Sequence, residues 1–245
     1  MVEYKIRNKV NELPLSNVKL GGDIGEENEM LELLRKKNPT LKLFDVHSEE
    51  FRAYGEVLYK FDTDSIIKVA EELEMPKEGS IYAPSLDSLE ALDTAKKIAD
   101  EFFGTIPTQI GCCYGHNNTL SALEWHCCSE LNIALTPLVL MLAKRSDIKD
   151  GRIDSSDVKA FYVSRGTVLD VFSSTLHFCP CEVEKSGFGC IVGLVKGTNL
   201  PHEKDVTDKL IFRRNKWLIA HEDNTALIEK GVCPGIYGEN YKLEY

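Results

Sequence analysis

The amino-acid sequence predicts a mainly β protein, an antiparallel sandwich or barrel with a helical N-terminal portion. Two observations support this fold class. After about residue 105 the chain consists of short β-rich runs separated by Gly, Asn and Pro, as in antiparallel sandwiches and barrels. Before residue 105 the clearest apolar periodicity is helical. Because strands and helices do not alternate in the second part, the pattern disfavours parallel α/β folds.

Two one-sided apolar stripes predict helices over Asp62–Leu73 and Ser85–Phe103, and Gly104 follows the second stripe. A loop at Gly21–Gly22 is predicted to lead toward a shorter helix over Met30–Lys37. Since the longer stripes are apolar on one side only, we expect both helices to pack on another layer.

The second part of the chain contains eight predicted strands. They cover Gln109–Tyr114, Leu123–Cys127, Leu138–Leu142, Ala160–Val163, Thr167–Phe172, Thr175–Val183, Cys190–Val195 and part of Leu210–His221. We therefore predict a β domain over residues 105–225, a helix-rich portion over 1–104 packed on it, and a C-terminal tail over 226–245.

Composition limits the possible partners. The 245 residues include 39 acidic and 29 basic side chains, for a formal net charge of −10. This balance argues against duplex nucleic acid, whose binders present a basic face. The start of the chain is too polar for a signal peptide, and the apolar stretch Ile133–Ala143 is about half a membrane span. We expect a cytoplasmic protein with no nucleic-acid or membrane partner.

The eight cysteines first suggest disulfides or thiolate zinc. In the cytoplasm thiols stay reduced, and no CxxC spacing occurs. Neighbours such as Cys112–Cys113 and Cys127–Cys128 would point to opposite faces of a strand, which makes them poor chelating pairs. We interpret the cysteines as small apolar fillers.

The densest cluster of coordinating side chains lies around residue 126. Glu124 and His126 are two residues apart, so on a strand they share a face. Glu130 follows four residues later and rejoins them if the strand continues or bends back. Two carboxylates and one imidazole suit one divalent ion among Mn, Fe, Ni, Co and Zn. His177, in a later β-rich run, is the natural further ligand.

This cluster resembles a known motif. Glu124-x-His126-x3-Glu130 is similar to the first motif of the cupin superfamily, H-x-H-x3/4-E, with Glu at the first His position.

A second segment is similar to the other cupin half. Phe161 and the turn at Gly166, followed by Thr175-Leu-His177, resemble the run that ends at the last metal-binding His of cupins. The resemblance covers residues 105–220 and implies a jelly-roll barrel. As a whole, the chain resembles uncharacterised bacterial cupin-type proteins of similar length.

The resemblance implies a metal centre inside the barrel. His126, Glu130 and His177 would be ligands, and Glu124 would be either a fourth ligand or a catalytic base beside the ion. Such a centre suits a small polar substrate, a sugar or sugar acid. Metal polarisation with a carboxylate base is what aldose–ketose isomerisation requires.

Four further residues are predicted to contact substrate: His116 in a turn-prone segment, Lys196 and Asn199 after a strand, and His221 in a later strand. The basic cluster Arg213–Trp217 is interpreted as a solvated strand edge rather than a phosphate contact.

Two alternatives to an isomerase remain open. The segment from His47 to Leu58 resembles the opening of ureidoglycolate lyases, which favours a lyase. A non-catalytic sugar-binding cupin is the other alternative, although the retained ligand set favours an enzyme. We also expect a homo-oligomer, because many cupins are dimers.

Overall fold

The computed structural model describes residues 24–245, so the predicted loop at Gly21–Gly22 lies outside the described part. The helices are α1 Ile24–Lys37, α2 Asp64–Ala70, α3 Asp87–Glu90, α4 Asp93–Glu101 and α5 Thr225–Glu229. Helix α1 begins earlier than the predicted Met30. The single helix predicted over Ser85–Phe103 is wrong, because α3 and α4 are separate helices within that range.

The strands of the described chain are short. They are β1 Leu43–Asp45, β2 Gly55–Val57, β3 Ser80–Ala83, β4 Thr108–Gly115, β5 Ala122–Trp125, β6 Glu130–Ala134, β7 Leu138–Lys144, β8 Ile153–Asp154, β9 Lys159–Val163, β10 Val168–Val171, β11 Thr175–Leu176, β12 Cys181–Glu182, β13 Phe188–Val195, β14 Ile211–Arg213, β15 Lys216–His221 and β16 Cys233–Tyr237.

These strands form three sheets. The first sheet has the order β2-β10-β6-β13-β4-β3 and is antiparallel throughout. The second sheet has the order β1-β9-β7-β11, with β12 also paired to β7. The third sheet has the order β14-β15-β16-β8, with β5 paired to β15. Parallel pairs occur between β1 and β9 and at both edges of β16.

Strand β7 shows how the sheets are stacked. Leu140 and its alternate neighbours pack with residues of the first sheet, such as Val192. Met141 and its alternate neighbours pack with residues of the third sheet, such as Ile219. Since successive side chains of a strand point to opposite faces, the second sheet is buried on both sides. This explains the continuous apolar run that the sequence shows there.

Helices α2, α3 and α4 cover the outer face of the first sheet. Ile66 of α2 and Ile98 of α4 are fully buried in a cluster with Leu131, Ile133 and Ile191 from the sheet. The expectation that one-sided helices pack on another layer is therefore confirmed. The inner face of the same sheet packs on the second sheet, and part of it, including Cys190 and Val192, lines a cavity.

The predicted fold class, a mainly β, jelly-roll-like barrel with a helical N-terminal portion, is confirmed by this arrangement. The long strand predicted over Thr175–Val183 is wrong: the chain forms only the two short strands β11 and β12, with Pro180 just before β12. The division at residues 104 and 225 stays a prediction, and strands from all three portions take part in the sheets.

None of the helices in residues 24–245 is long and apolar enough to cross a membrane. All eight cysteines are free thiols. Cys112, Cys181 and Cys190 are buried, in agreement with their interpretation as small core residues.

Phe161 of β9 provides a test of the core. Its ring is fully buried and contacts the rings of Phe51 and Tyr54, with centroids 5.3 and 5.1 Å away. We expect Phe161→Ala to lower the free energy of unfolding by about 3–5 kcal/mol, because it removes a large buried side chain and leaves a cavity. Ile106→Ala, at a side chain that is 52% exposed, should change it by less than about 0.5 kcal/mol. Denaturant titration of both variants measures the difference, and equal losses would contradict this view of the core.

Candidate metal centre

Four side chains from three parts of the fold meet at one end of the first sheet. Glu124 belongs to β5 of the third sheet, and His126 follows directly after that strand. Glu130 begins β6 of the first sheet, so the chain turns from one sheet to another between the two residues. His177 follows directly after β11 of the second sheet. The bend, rather than a continuous strand, brings Glu130 back to His126.

A pair of backbone hydrogen bonds joins two of these residues. The amide of Glu124 donates to the carbonyl of His177 at 2.6 Å, and the amide of His177 donates to the carbonyl of Glu124 at 2.9 Å. This reciprocal pairing is an isolated antiparallel bridge. It holds the two side chains at a constant separation without a long strand on either side.

The two histidines converge on Glu130. The Nε2 atoms of His126 and His177 each lie 3.3 Å from Oε2 of Glu130. The three residues are nearly inaccessible to solvent, with at most 7% of each residue exposed. A carboxylate and two imidazoles are thus directed at a common point inside the protein.

The outer nitrogen of each imidazole is oriented by the backbone. Nδ1 of His126 donates to the carbonyl of Asn215 at 2.6 Å, and Nδ1 of His177 donates to the carbonyl of Thr175 at 3.2 Å. This leaves an Nε2 lone pair on each ring facing the centre in the neutral tautomer. Both Nε2 atoms are buried and make no hydrogen bond. Metal-binding histidines have this second-nitrogen contact.

Electrostatics favour the ionised form of Glu130. Burial opposes ionisation, but the neighbouring imidazoles of His177 and His126 outweigh it and hold the pKa of Glu130 well below its ordinary value. Burial also acts on His177, yet the Glu130 carboxylate raises its pKa above the ordinary value. The amide of Asn132 donates to Oε1 of Glu130 at 2.8 Å and so orients the carboxylate.

Glu124 stands beside the three. Glu124, His126 and His177 each have a potential ligand atom, and these three atoms lie within 4.8 Å of one another. Oε2 of Glu124 also contacts the ammonium of Lys216 on β15. Glu124 is therefore shared between the metal centre and a cation, which is consistent with either of its two predicted roles.

A cavity of about 190 Å³ opens beside the centre. Its wall consists of Ser80, Tyr82, Cys113, Glu124, Glu130, Asn132, His177, Phe178, Cys179, Pro180, Cys190, Val192, Asn199 and Lys216. Oη of Tyr82 and Oδ1 of Asn199, two residues of this wall, are buried and make no hydrogen bond. These atoms are available to a ligand.

Of the four described residues predicted to contact substrate, only Asn199 lines this cavity. His116 instead pairs with Glu182 at 2.7 Å, and Lys196 is an exposed residue after β13. His221 is fully buried in β15, five residues from Lys216. An odd separation on a strand turns the two side chains to opposite faces, which is why His221 does not share the cavity.

Sequence reasoning did not select Lys216, Asn132 or Tyr82. Asn132 lies two residues after Glu130, and that even spacing on a strand would have indicated it. Lys216 belongs to the basic cluster that was interpreted as a solvated edge, whereas its side chain is only 14% exposed. Tyr82 reaches the site through β3, an edge strand that the sequence pattern did not reveal.

These residues fit a divalent metal ion. The site offers two imidazole Nε2 atoms without hydrogen bonds, on rings whose Nδ1 atoms are bonded to the backbone, and one oriented carboxylate. Mn, Fe, Co, Ni and Zn all accept such ligands. Fold and site together define a mainly β protein with a candidate metal centre of two histidines and neighbouring glutamates. The chain belongs to the family described as Domain of unknown function (DUF4867), whose family pattern matches residues 43–241.

Comparison with solved structures gives partial similarity to oxalate decarboxylase. One variant of the Bacillus subtilis enzyme is 11% identical, with 59% of this chain and 32% of that chain covered and a TM-score of 0.31. Another oxalate decarboxylase structure is 14% identical over 59% and 32% of the two chains, with a TM-score of 0.32. The similarity thus spans about one third of the length of those proteins. No match is found among curated proteins.

The two histidines can be tested by metal content. We expect His126→Ala and His177→Ala to lose most of the bound divalent metal, because each removes a nitrogen that faces the centre. His116→Ala, which alters the histidine paired with Glu182, should keep it. Elemental analysis of folded protein, checked by circular dichroism, measures the metal. Full retention by both site variants would contradict the assigned centre.

The amide of Asn132 allows a finer test. Removing the group that orients a metal-binding carboxylate typically weakens metal affinity by about 10–100-fold, and we expect this of Asn132→Ala. Asn118→Ala serves as a control, since the Asn118 amide faces the carbonyl of Leu243. Competition with a fluorescent chelator gives both affinities. Unchanged affinity in Asn132→Ala would show that Glu130 needs no such support.

Proposed function

We propose that this protein is a metal-dependent enzyme that interconverts aldose and ketose forms of a small sugar or sugar acid. The observation that carries the proposal is the convergence of the His126 and His177 imidazoles on Glu130 beside a cavity, with the carboxylate of Glu124 next to them. One ion and one base are sufficient for this reaction, and no organic cofactor is required.

The cavity suits a small substrate. Its volume of about 190 Å³ is below the range of roughly 300–1,000 Å³ that is common for drug-sized ligands. Its wall combines polar groups such as Asn132 and Asn199 with apolar ones such as Phe178 and Val192. A polyhydroxylated compound of a few carbons would find both hydrogen-bonding partners and an apolar surface.

A divalent ion held by His126, His177 and Glu130 would polarise a carbonyl and the hydroxyl next to it. Glu124 then performs the proton transfer: its carboxylate takes the proton from the carbon that carries the hydroxyl and returns it to the neighbouring carbon. A proton also moves between the two oxygens, so the reaction is balanced and consumes nothing. Lys216 acts as a positioning residue, because its contact holds the Glu124 carboxylate at the cavity wall.

The lyase alternative lacks support from the site. The segment that resembles ureidoglycolate lyases begins at His47, and His47 lines a separate surface cavity together with Arg52 and Tyr59. A non-catalytic sugar-binding role and a homo-oligomeric state stay predictions.

Glu124→Gln tests the proposed base. The variant keeps the shape of the side chain and removes its ability to accept a proton. General base catalysis typically contributes 10²–10⁴-fold, so we expect turnover to fall by about that factor while His126, Glu130 and His177 still bind metal. The measurement is a screen of aldoses, ketoses and their acids with metal-loaded protein, followed by kinetics on the active substrate.

Two results would contradict the proposal. Full turnover in Glu124→Gln would exclude this residue as the base. Absence of interconversion of every compound in the screen, by wild-type protein with stoichiometric metal, would leave the isomerase assignment without support and favour the binding role.

A further inference from the structure

Lys216 is the one cationic side chain among the described residues of the cavity wall. Its ammonium contacts Oε2 of Glu124, and both side chains are largely buried, with 14% and 13% exposed. It also lies 5.8 Å from the ring centroid of Phe178, another wall residue. A lysine in such a place is costly to bury without a counterion, and Glu124 is that counterion when the cavity holds no ligand.

The charges of the site do not balance once an ion is bound. Glu124 and Glu130 contribute two negative charges, Lys216 contributes one positive charge, and the histidines are neutral when they act as ligands. The protein groups alone therefore carry one net negative charge, and a divalent ion would change this to one net positive charge. Because net charge in a buried site is unfavourable, a ligand with a single negative charge would restore neutrality.

The geometry indicates how that ligand would reach Lys216. A ligand atom of Glu124 lies within 4.8 Å of those of both His126 and His177, so Glu124 stands between the metal centre and Lys216. The ammonium of Lys216 has three N–H donors, so it can keep its contact with Glu124 and still donate to a second acceptor. A carboxylate of the substrate can be that second acceptor.

Two further polar groups of the wall suit a hydroxylated acid: Tyr82 offers a donor to the carboxylate, and Oδ1 of Asn199 offers an acceptor to a hydroxyl. The hydroxyl of Tyr82 is buried without a hydrogen-bond partner, and burial together with Glu130 and Glu124 raises the pKa of this phenol. Tyr82 thus stays protonated and can donate. Asn199 is another residue of the wall. Its backbone N–H donates to the carbonyl of Arg214, which connects the Asn199 turn to the hairpin that carries Lys216.

We propose that the cavity binds a small monocarboxylate, a hydroxy or keto acid of the sugar-acid class, whose carboxylate accepts from Lys216 and Tyr82 and whose hydroxyl can donate to Oδ1 of Asn199. The proposal rests on the metal-dependent function proposed above and selects a sugar acid over a neutral sugar. It also disfavours a phosphate ester, which carries about 1.5 to 2 negative charges at neutral pH and would overcompensate the single positive charge.

The test uses matched probes and calorimetry on manganese-loaded protein. Glycerate and glycerol share a three-carbon skeleton and differ by the carboxylate, and glycerol 3-phosphate adds a phosphate instead. We expect glycerate to bind about ten- to a hundredfold more tightly than glycerol, as a charge-assisted hydrogen bond permits. Lys216→Met should abolish the difference, whereas Lys196→Met, at an exposed lysine outside the wall, should preserve it.

Glu124→Gln is expected to change glycerate binding in the direction opposite to Lys216→Met. Removing the competing carboxylate should strengthen glycerate binding, although the same variant is expected to lose turnover. If Lys216→Met fails to fold because Glu124 is left unpaired, the double variant Glu124→Gln/Lys216→Met removes both charges together. It should bind glycerate and glycerol with similar affinity.

The outcomes separate this proposal from the one on which it rests. Failure of the wild-type protein to take up any of Mn, Fe, Co, Ni and Zn would overturn the proposed function, and the charge argument with it. Normal uptake with no preference for glycerate, or a preference that persists in Lys216→Met, would overturn the carboxylate site alone. Tighter binding of glycerol 3-phosphate that depends on Lys216 would replace the carboxylate by a phosphate.

Discussion

The reciprocal hydrogen bonds between the backbones of Glu124 and His177 are the constraint on which the centre depends. They join a strand of the third sheet to a segment that leaves the second sheet. Without this bridge, no extended pairing would hold the two segments together at this point, since β11 contains only two residues. Backbone pairing of this kind leaves the side chains free for chemistry, so one interaction positions an imidazole and a carboxylate together.

The layered fold supplies the rigidity that such a short bridge requires. The second sheet is apolar on both faces, and Leu140 and Met141 of β7 belong to different cores. Helices α2, α3 and α4 close the outer face of the first sheet, and Glu130 and Asn132 alternate with the residues under those helices and reach the centre from the inner face. The buried polar residues of the centre have defined partners, as in the bond from Asn132 to Glu130.

Much of this could be predicted from the sequence, for identifiable reasons. Period-two runs and turn residues indicate antiparallel sheets without long-range information. The spacing of Glu124, His126 and Glu130 indicates a shared site because short loops keep neighbours close. His177 could be found because the same residue types recur at a strand end later in the chain.

The rest depends on contacts between distant parts of the chain. Lys216 looks like an exposed residue in a basic cluster, and only the pairing of β15 with β5 buries it beside Glu124. The opposite holds for His221: the sequence predicts a residue of the cavity, but its position in β15 directs the side chain to the other face of the strand. The break of the helix over Ser85–Phe103 into α3 and α4 is likewise a tertiary effect, because the apolar stripe continues across it.

Asn215 has a mechanical consequence for the site. It occupies the turn between β14 and β15 at a positive φ of 55°, and its carbonyl holds His126 while its side-chain oxygen accepts from the amide of Cys127. The next residue along the chain is Lys216. A change in the orientation of this turn would therefore move the His126 imidazole and the Lys216 ammonium together.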